Sequence, residues 1–228
     1  MRKLIGWFAL VGIALLWAYC QSPSGSGDAA SRQTLSVTEE PGQIVLGWSG
    51  PVQAPMSELI TAAFDRYKAD QRRLVLMLNS PGGSIEHGRK VVAAIRSSVR
   101  GIDTLVQKAG VCASMCVPIF LAGSKRMADP EANFMFHQVS LNLNAKGDKK
   151  RQDFSEAEKV LFSQAKEAVE SRATDEFFRS DIGLRGVSTA WLARMRQQIS
   201  GHDVWISAQQ LVDERSGIID SLVHTTWP

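Results

Sequence analysis

The sequence has few of the residues that bind metals and little excess charge of either sign. Its 228 residues include three cysteines and four histidines, without the spacing of a zinc site, so we expect no metal ion and no cofactor. The formal net charge is +3, and removing Arg2 and Lys3 leaves 3 − 2 = +1 for the remainder. Such a chain lacks the basic surface that nucleic-acid binding requires. No internal repeat is visible, and the composition is typical of one globular domain.

The N-terminus carries a long run that lacks charged residues and is mostly apolar. A short positive segment, 1–3, is followed by sixteen residues, 4–19, that carry no charge. This pattern is typical of a signal peptide or a membrane anchor, although a membrane span usually needs roughly 20 residues. Either interpretation sends the rest of the chain across the membrane, and we expect a location at the cell membrane with the folded part periplasmic or extracellular. Cys20 follows Tyr19 rather than a small residue, which argues against a lipid attachment and favours an uncleaved anchor.

The chain therefore divides into three parts. Residues 1–20 are interpreted as the signal peptide or anchor, and the small polar residues of 21–35 as a flexible linker. Residues 36–228 are interpreted as one folded domain.

Within this domain, short apolar runs alternate with segments of helical periodicity. Strands are predicted at 44–48, 74–78, 104–106, 134–136, 204–206 and 218–223. Helices are predicted at 57–70 with Ser57 as the cap, 85–99, 113–121, 153–178 and 208–212. This order implies an α/β fold with parallel strands and right-handed crossovers, and the wholly apolar run 74–78 should be buried on both faces.

Residues able to perform chemistry lie at three turns. The N-S-P-G-G turn at 79–83 leaves a strand and enters a helix, whose free N–H groups can bind a negatively charged oxygen. Ser114 lies at the predicted start of another helix, and His137 ends the strand 134–136, 23 residues later. Each residue also has a structural interpretation: an ordinary turn, an N-cap serine and a structural histidine.

Taken together, these segments resemble the ClpP peptidase family of the ClpP/crotonase superfamily, over about residues 44–223. The resemblance lies in the glycine turn 79–83, the A-S-M nucleophile motif 113–115, the histidine segment 136–138, the acid-bearing segment 203–208 and the ending 217–220. It implies a ClpP/crotonase-type spiral of βαβ units with a long outlying helix, which 153–178 resembles. In relatives that helix mediates ring assembly, so a homo-oligomer is expected.

The resemblance also implies a role for each site residue. Ser114 would be the nucleophile, His137 the general base and Asp203 the acid that orients the histidine. The backbone N–H groups of Gly83 and Met115 would form the oxyanion hole. The implied activity is that of a serine endopeptidase acting on peptide or protein substrates.

Two features depart from the cytoplasmic, ring-forming members of the family. The export signal makes an ATPase partner unexpected, and the chain more closely resembles predicted periplasmic ClpP-like proteins. In addition, Cys112 and Cys116 flank Ser114. We favour two small residues packing beside the site, and the alternative is a disulfide that places the serine under redox control.

Several alternatives remain open at the level of sequence. Asp181 and Asp213 could replace Asp203 as the acid, and Lys108 or Lys125 could replace the histidine in a Ser/Lys peptidase. The same fold could also serve a crotonase-type acyl-CoA enzyme or a scaffold without catalytic activity.

Overall fold

The computed structural model describes residues 32–140, 155–183 and 186–225. The predicted signal or anchor, 1–20, lies outside the described residues, as does most of the predicted linker. Within these three ranges, no helix is both long enough and apolar enough to cross a bilayer. The first strand begins at Thr34, and therefore includes two residues that the sequence assigned to the linker.

The strands of the described residues form two sheets. Their bounds are β1 Thr34–Glu39, β2 Gln43–Ser49, β3 Arg73–Asn79, β4 Asp103–Val106, β5 Val111–Ala113, β6 Arg126–Ala128, β7 Asn133–Phe136, β8 Val204–Ser207 and β9 Ser221–Leu222. The larger sheet has the order β1-β2-β3-β4-β6-β9, and the smaller has the order β5-β7-β8. The mixed α/β class expected from the sequence is confirmed.

The expectation of parallel strands is confirmed for most of this architecture. Strands β2, β3, β4, β6 and β9 pair in parallel, as do β5 and β7. It is wrong for β8, which runs antiparallel to β7, because the chain returns to this sheet at the same end from which it left. Strand β1, which the sequence did not predict, is also antiparallel to its neighbour β2.

Helices cover the sheets and connect the strands. Their bounds are α1 Met56–Arg66, α2 Ile85–Ser97, α3 Cys116–Leu121, α4 Glu156–Phe177, α5 Thr189–Gln198 and α6 Ala208–Asp213, with a π-helical turn at Phe178–Ile182. Serine caps set several starts: Ser84 caps α2, and Ser155 forms a capping box with Glu158 at the start of α4. Ser57 is not the cap of α1, because that helix begins earlier, at the fully buried Met56.

Helix α3 begins three residues later than its apolar pattern predicts. Residues 111–113 form strand β5, and Ser114 then adopts a φ of +52°, which no right-handed helix accommodates. Pro118 lies in the first turn of α3, where a missing N–H leaves no intrahelical hydrogen bond unmade. The result is a strand, a sharp turn and a short buried helix.

The core lies between the larger sheet and the helices. Leu74, Val75, Leu76 and Leu78 of β3 are all buried, as the sequence predicts, and each such side chain contributes roughly 2 kcal/mol to stability. The buried β3 thus forms a rigid support for the glycine turn that follows it.

Candidate active site

Ser114 lies on a tight turn between β5 and α3. Its φ of +52° is unusual for a residue with a Cβ. Two backbone hydrogen bonds hold the turn: the Ser114 N–H donates to the Met135 carbonyl at 2.9 Å, and the Ser114 carbonyl accepts from the Val117 N–H at 3.0 Å. The interpretation of Ser114 as a helix N-cap is wrong, because Met115 occupies that position.

His137 follows β7 directly, and β7 lies beside β5 in the smaller sheet. The parallel register pairs Ala113 with Met135, so the residues just beyond these two positions come close together. The Nε2 atom of His137 lies 2.7 Å from the Ser114 Oγ. If the serine hydroxyl donates to Nε2, the neutral imidazole carries its proton on Nδ1. This is the arrangement by which a histidine can take a proton from serine.

Asp203 lies on the other side of His137. Strand β8 pairs Val204 with Phe136, so the residues just outside this pair, Asp203 and His137, are neighbours. The Asp203 Oδ1 lies 4.0 Å from the His137 Nδ1, and the Asp203 side chain is 62% exposed. This distance is longer than a hydrogen bond, so the carboxylate is adjacent to the imidazole without being bonded to it.

The two alternative acids are engaged elsewhere. Asp181 accepts two hydrogen bonds from the guanidinium of Arg89, at 3.0 and 2.7 Å. Asp213 accepts from the Gln209 side chain at 2.8 Å. Of the three carboxylates considered from sequence, Asp203 is the one whose strand places it beside the histidine.

Neither lysine considered for a Ser/Lys site is suited to that role. Lys108 pairs with Glu131 at 2.9 Å, and this hydrogen bond raises the pKa of the Lys108 ammonium. A lysine base needs a lowered pKa, which burial away from carboxylates would supply. Lys125 is exposed, and the Ser114 hydroxyl contacts His137 instead.

The glycine turn after β3 packs directly against Ser114. Gly82 has a φ of +88°, and a Cβ on it would lie 2.7 Å from the Ser114 Cβ and 3.1 Å from the Met115 nitrogen. Only glycine therefore permits this approach of the two turns. Val52 holds the turn from its other side, accepting from the Ser84 N–H at 2.7 Å and donating to the Gly82 carbonyl at 2.7 Å.

Two N–H groups at this junction have no hydrogen-bond partner within the part of the chain that the structure describes. Within residues 32–140, 155–183 and 186–225, neither the Gly83 N–H nor the Met115 N–H donates a hydrogen bond to another backbone group or to a side chain. Unpaired N–H groups on adjoining turns can donate to an oxygen that becomes negatively charged during a reaction. These are the two residues that the resemblance proposes for the oxyanion hole.

Sequence reasoning did not single out the contacts that join the two turns. The Ser80 N–H donates to the Val111 carbonyl at 2.7 Å, and the Ala113 N–H donates to the Ser80 carbonyl at 3.0 Å. The Asn79 side chain accepts from the Val111 N–H at 3.1 Å. Polar residues directly after the apolar run of β3 were the signal for this role, because strand ends must find partners for unpaired backbone groups.

Cys112 and Cys116 form a disulfide across the Ser114 turn, with their Cα atoms 5.1 Å apart. Both residues are fully buried, as we expected of two small residues packing beside the site. The expectation that their sulfurs are not bonded to each other is wrong. A bond within one helical turn is geometrically unfavourable. Here Cys112 belongs to β5 and only Cys116 is helical, so that objection does not apply.

Comparison with known proteins identifies the family of this chain. The Clp protease family model matches residues 32–176. The chain is 27% identical over 154 residues to the ATP-dependent Clp protease proteolytic subunit 1 of Chlamydia muridarum, covering 67% of this chain and 70% of the relative. A ClpP1 mutant from Listeria monocytogenes has the same fold, with a TM-score of 0.55 and 16% identity over 80% of this chain and 92% of its own. With most of its described residues matched, the chain belongs to the Clp protease family.

Proposed function

We propose that the protein is a serine endopeptidase that cleaves peptide bonds with Ser114, His137 and Asp203. The observation that carries this proposal is the 2.7 Å contact between the Ser114 Oγ and the His137 Nε2, at a turn with positive φ. A serine hydroxyl is a weak nucleophile unless a base lies within hydrogen-bond reach, and this contact supplies the base.

The reaction follows from the geometry of the site. The Ser114 Oγ attacks the substrate carbonyl while the His137 Nε2 accepts the hydroxyl proton, which it later gives to the leaving amine. The N–H groups of Gly83 and Met115 donate to the resulting oxyanion, each contributing about 3–4 kcal/mol. Water then repeats the attack on the acyl-enzyme, with His137 again as the base.

In this proposal, Asp203 stabilises the imidazolium that forms at His137. Its 4.0 Å distance from Nδ1 must shorten by about 1 Å to make a hydrogen bond. Catalytic hydrogen bonds are often long before substrate binds and tighten in the complex. The exposed Asp203 side chain has the freedom to make this movement.

The setting of the reaction is also part of the proposal. Disulfides persist in oxidising compartments, and the Cys112–Cys116 bond therefore supports a domain that works outside the cytoplasm, held at the membrane by its N-terminus. ATP is scarce there, so we propose peptides or already unfolded proteins as substrates, without an ATPase partner. Clp family proteins act on peptide substrates and form oligomers, and we propose a homo-oligomer here.

One structural observation favours a second candidate function. The distance between Asp203 and His137 and the exposure of the Asp203 carboxylate would also fit a scaffold that keeps the fold without catalysis. In that case Ser114 would have no enhanced nucleophilicity.

Labelling with a fluorophosphonate separates these two functions. The full-length protein should be labelled, and Ser114→Ala and His137→Ala should each abolish labelling. Ser97→Ala and His224→Ala, which change exposed residues of the same types outside the site, should be labelled like the wild type. A folded wild type that resists labelling would support the scaffold, and labelling retained in Ser114→Ala would place the nucleophile elsewhere.

A further inference from the structure

We infer that the Cys112–Cys116 disulfide is a positioning device, which holds Ser114 and Met115 in the geometry that the reaction requires. This inference rests on the proposed peptidase function and concerns the same site. The bond forms when the two thiols exchange with an external disulfide, which takes up two electrons and two protons and leaves as two thiols. Cys112 and Cys116 then take no part in the chemistry themselves.

The two sulfurs close the segment of chain that carries the reacting groups. Three residues lie between the cysteines, and they include Ser114 and Met115, the proposed nucleophile and oxyanion donor. Cys112 is held on both sides, by a bridge to Ser80 of the glycine turn and by its pairing with Phe134 of the histidine strand. The disulfide links this fixed strand to Cys116, the first residue of α3, and so fixes both ends of the turn.

The turn needs such support because its backbone conformation is unfavourable. A left-handed conformation costs a residue with a Cβ about 1–2 kcal/mol, and Ser114 has a φ of +52°. The apolar pattern of 113–121 favours a helix that begins before Ser114, so the local preference of the chain competes with the turn. In such a helix the Ser114 hydroxyl and the Met115 N–H would point elsewhere.

The disulfide opposes extension of this helix back through Cys112. A helix extended back to include Cys112 would place the Cβ atoms of Cys112 and Cys116 about 5–6 Å apart, whereas a disulfide needs about 3.5–4.5 Å. The bond is therefore compatible with the strand and turn but not with the extended helix. The bond thus stabilises the turn conformation of Ser114 that the proposed reaction requires.

Burial makes this device permanent rather than switchable. Both cysteines have no exposed surface in the structure. Exchange requires a thiolate to reach a sulfur, so a dithiol reductant has no approach to this bond while the domain is folded. The redox-controlled serine considered from sequence would need an accessible bond, and we therefore infer a fixed clamp.

The test compares fluorophosphonate labelling rates of the full-length wild type and the Cys112→Ala/Cys116→Ala variant, both shown to be folded by circular dichroism. We expect the variant to react at least about tenfold more slowly, because small misplacements of reacting groups cost large factors in rate. The midpoint of its pH–rate profile should stay unchanged, because His137 is untouched. Dithiothreitol added to the native wild type should leave the rate unchanged.

A matched control separates positioning from general stability. Ile60→Ala removes apolar volume from the buried face of α1, away from the site, and should lower the melting temperature without slowing labelling comparably. The Cys112→Ser/Cys116→Ser variant, which is closer to cysteine in shape, gives the same comparison if the alanine pair does not fold. Equal labelling rates in the wild type and a folded double variant would overturn this inference alone. No labelling of the wild type would overturn the proposed function, and this inference with it.

Discussion

Ser114 and His137 owe their contact to the positions at which two neighbouring strands end. Each residue directly follows a strand of the smaller sheet, and the register of β5 and β7 leaves them side by side. Asp203 directly precedes β8, whose antiparallel pairing brings it to the same end. Three residues distant in sequence thus meet at one edge of one sheet.

At this scale the role of Asp203 gives a clear prediction. Asp203→Asn should slow fluorophosphonate labelling by about 10²- to 10⁴-fold, because an amide neither stabilises the imidazolium nor selects the tautomer with its proton on Nδ1. Labelling rate constants measured at several pH values would show the loss.

The matched control is Asp213→Asn, which changes an exposed aspartate bonded only to the neighbouring Gln209 in the described contacts. It should react like the wild type. A normal rate in Asp203→Asn together with a slow one in Asp213→Asn would contradict our assignment.

At the scale of elements, Asp129 joins the chain after β9 to the turn between β6 and β7. Its carboxylate accepts from the Thr225 N–H at 2.9 Å, the Thr225 hydroxyl at 3.1 Å and the Glu131 N–H at 3.0 Å. Burial alone would raise the pKa of Asp129, but these hydrogen bonds outweigh burial and hold the pKa below its ordinary value. The ionised form is therefore favoured by folding.

This lowered pKa predicts how stability depends on pH. The contribution of Asp129 is complete above the unfolded pKa of about 3.9 and is lost as the pH falls through the lower folded value. Asp129→Asn should therefore reduce the free energy of unfolding by about 1–3 kcal/mol at pH 7, and the difference from wild type should shrink below about pH 4. Urea unfolding of the wild type and the variant at pH 7 and below about pH 4 measures this difference in the free energy of unfolding. Glu131→Gln, an exposed neighbour, should show no such difference, and a difference for Asp129→Asn that persisted in acid would contradict the explanation.

Some helices and strands could be predicted from the apolar pattern of the sequence, and others were not. Continuous apolar runs and helical spacing identified β3 and α2 nearly to the residue. Helix α5 was not predicted, although its two buried residues, Trp191 and Met195, have helical spacing. Strand β1 did carry a signal, the alternation of Leu35 and Val37 with polar residues, but its neighbours suggested a linker.

The candidate site was predictable in its residue types and not in its backbone. The sequence does not indicate the positive φ of Ser114, because serine is also common at helix caps and in ordinary turns. Whether Cys112 and Cys116 bond depends on the same turn, so the pairing could not be inferred before the turn was known. The catalytic roles of Ser114, His137 and Asp203 remain predictions until labelling tests them.

At the scale of the whole molecule, α4 exposes several large apolar side chains. Val160, Leu161 and Val169 are largely exposed along this 22-residue helix. Exposed apolar clusters commonly mark association surfaces. Leu161→Glu should therefore shift the protein to smaller species, as measured by sedimentation velocity.

Glu167→Gln on the same helix is the control for this experiment, because it changes an exposed polar residue. It should sediment like the wild type. An unchanged distribution for Leu161→Glu would show that association uses another surface.

The direction of β1 has a consequence for how the protein meets its surroundings. Thr34 pairs with Ser49 at the carboxyl end of β2, and the Gln33 side chain donates to the carbonyls of Pro51 and Gln53 at 3.0 Å each. The chain before residue 32 therefore joins the domain at the edge of the sheet that also carries the glycine turn and Ser114. With the N-terminus held at a membrane, as we propose, the proposed active site would lie on the side of the domain nearer to that membrane.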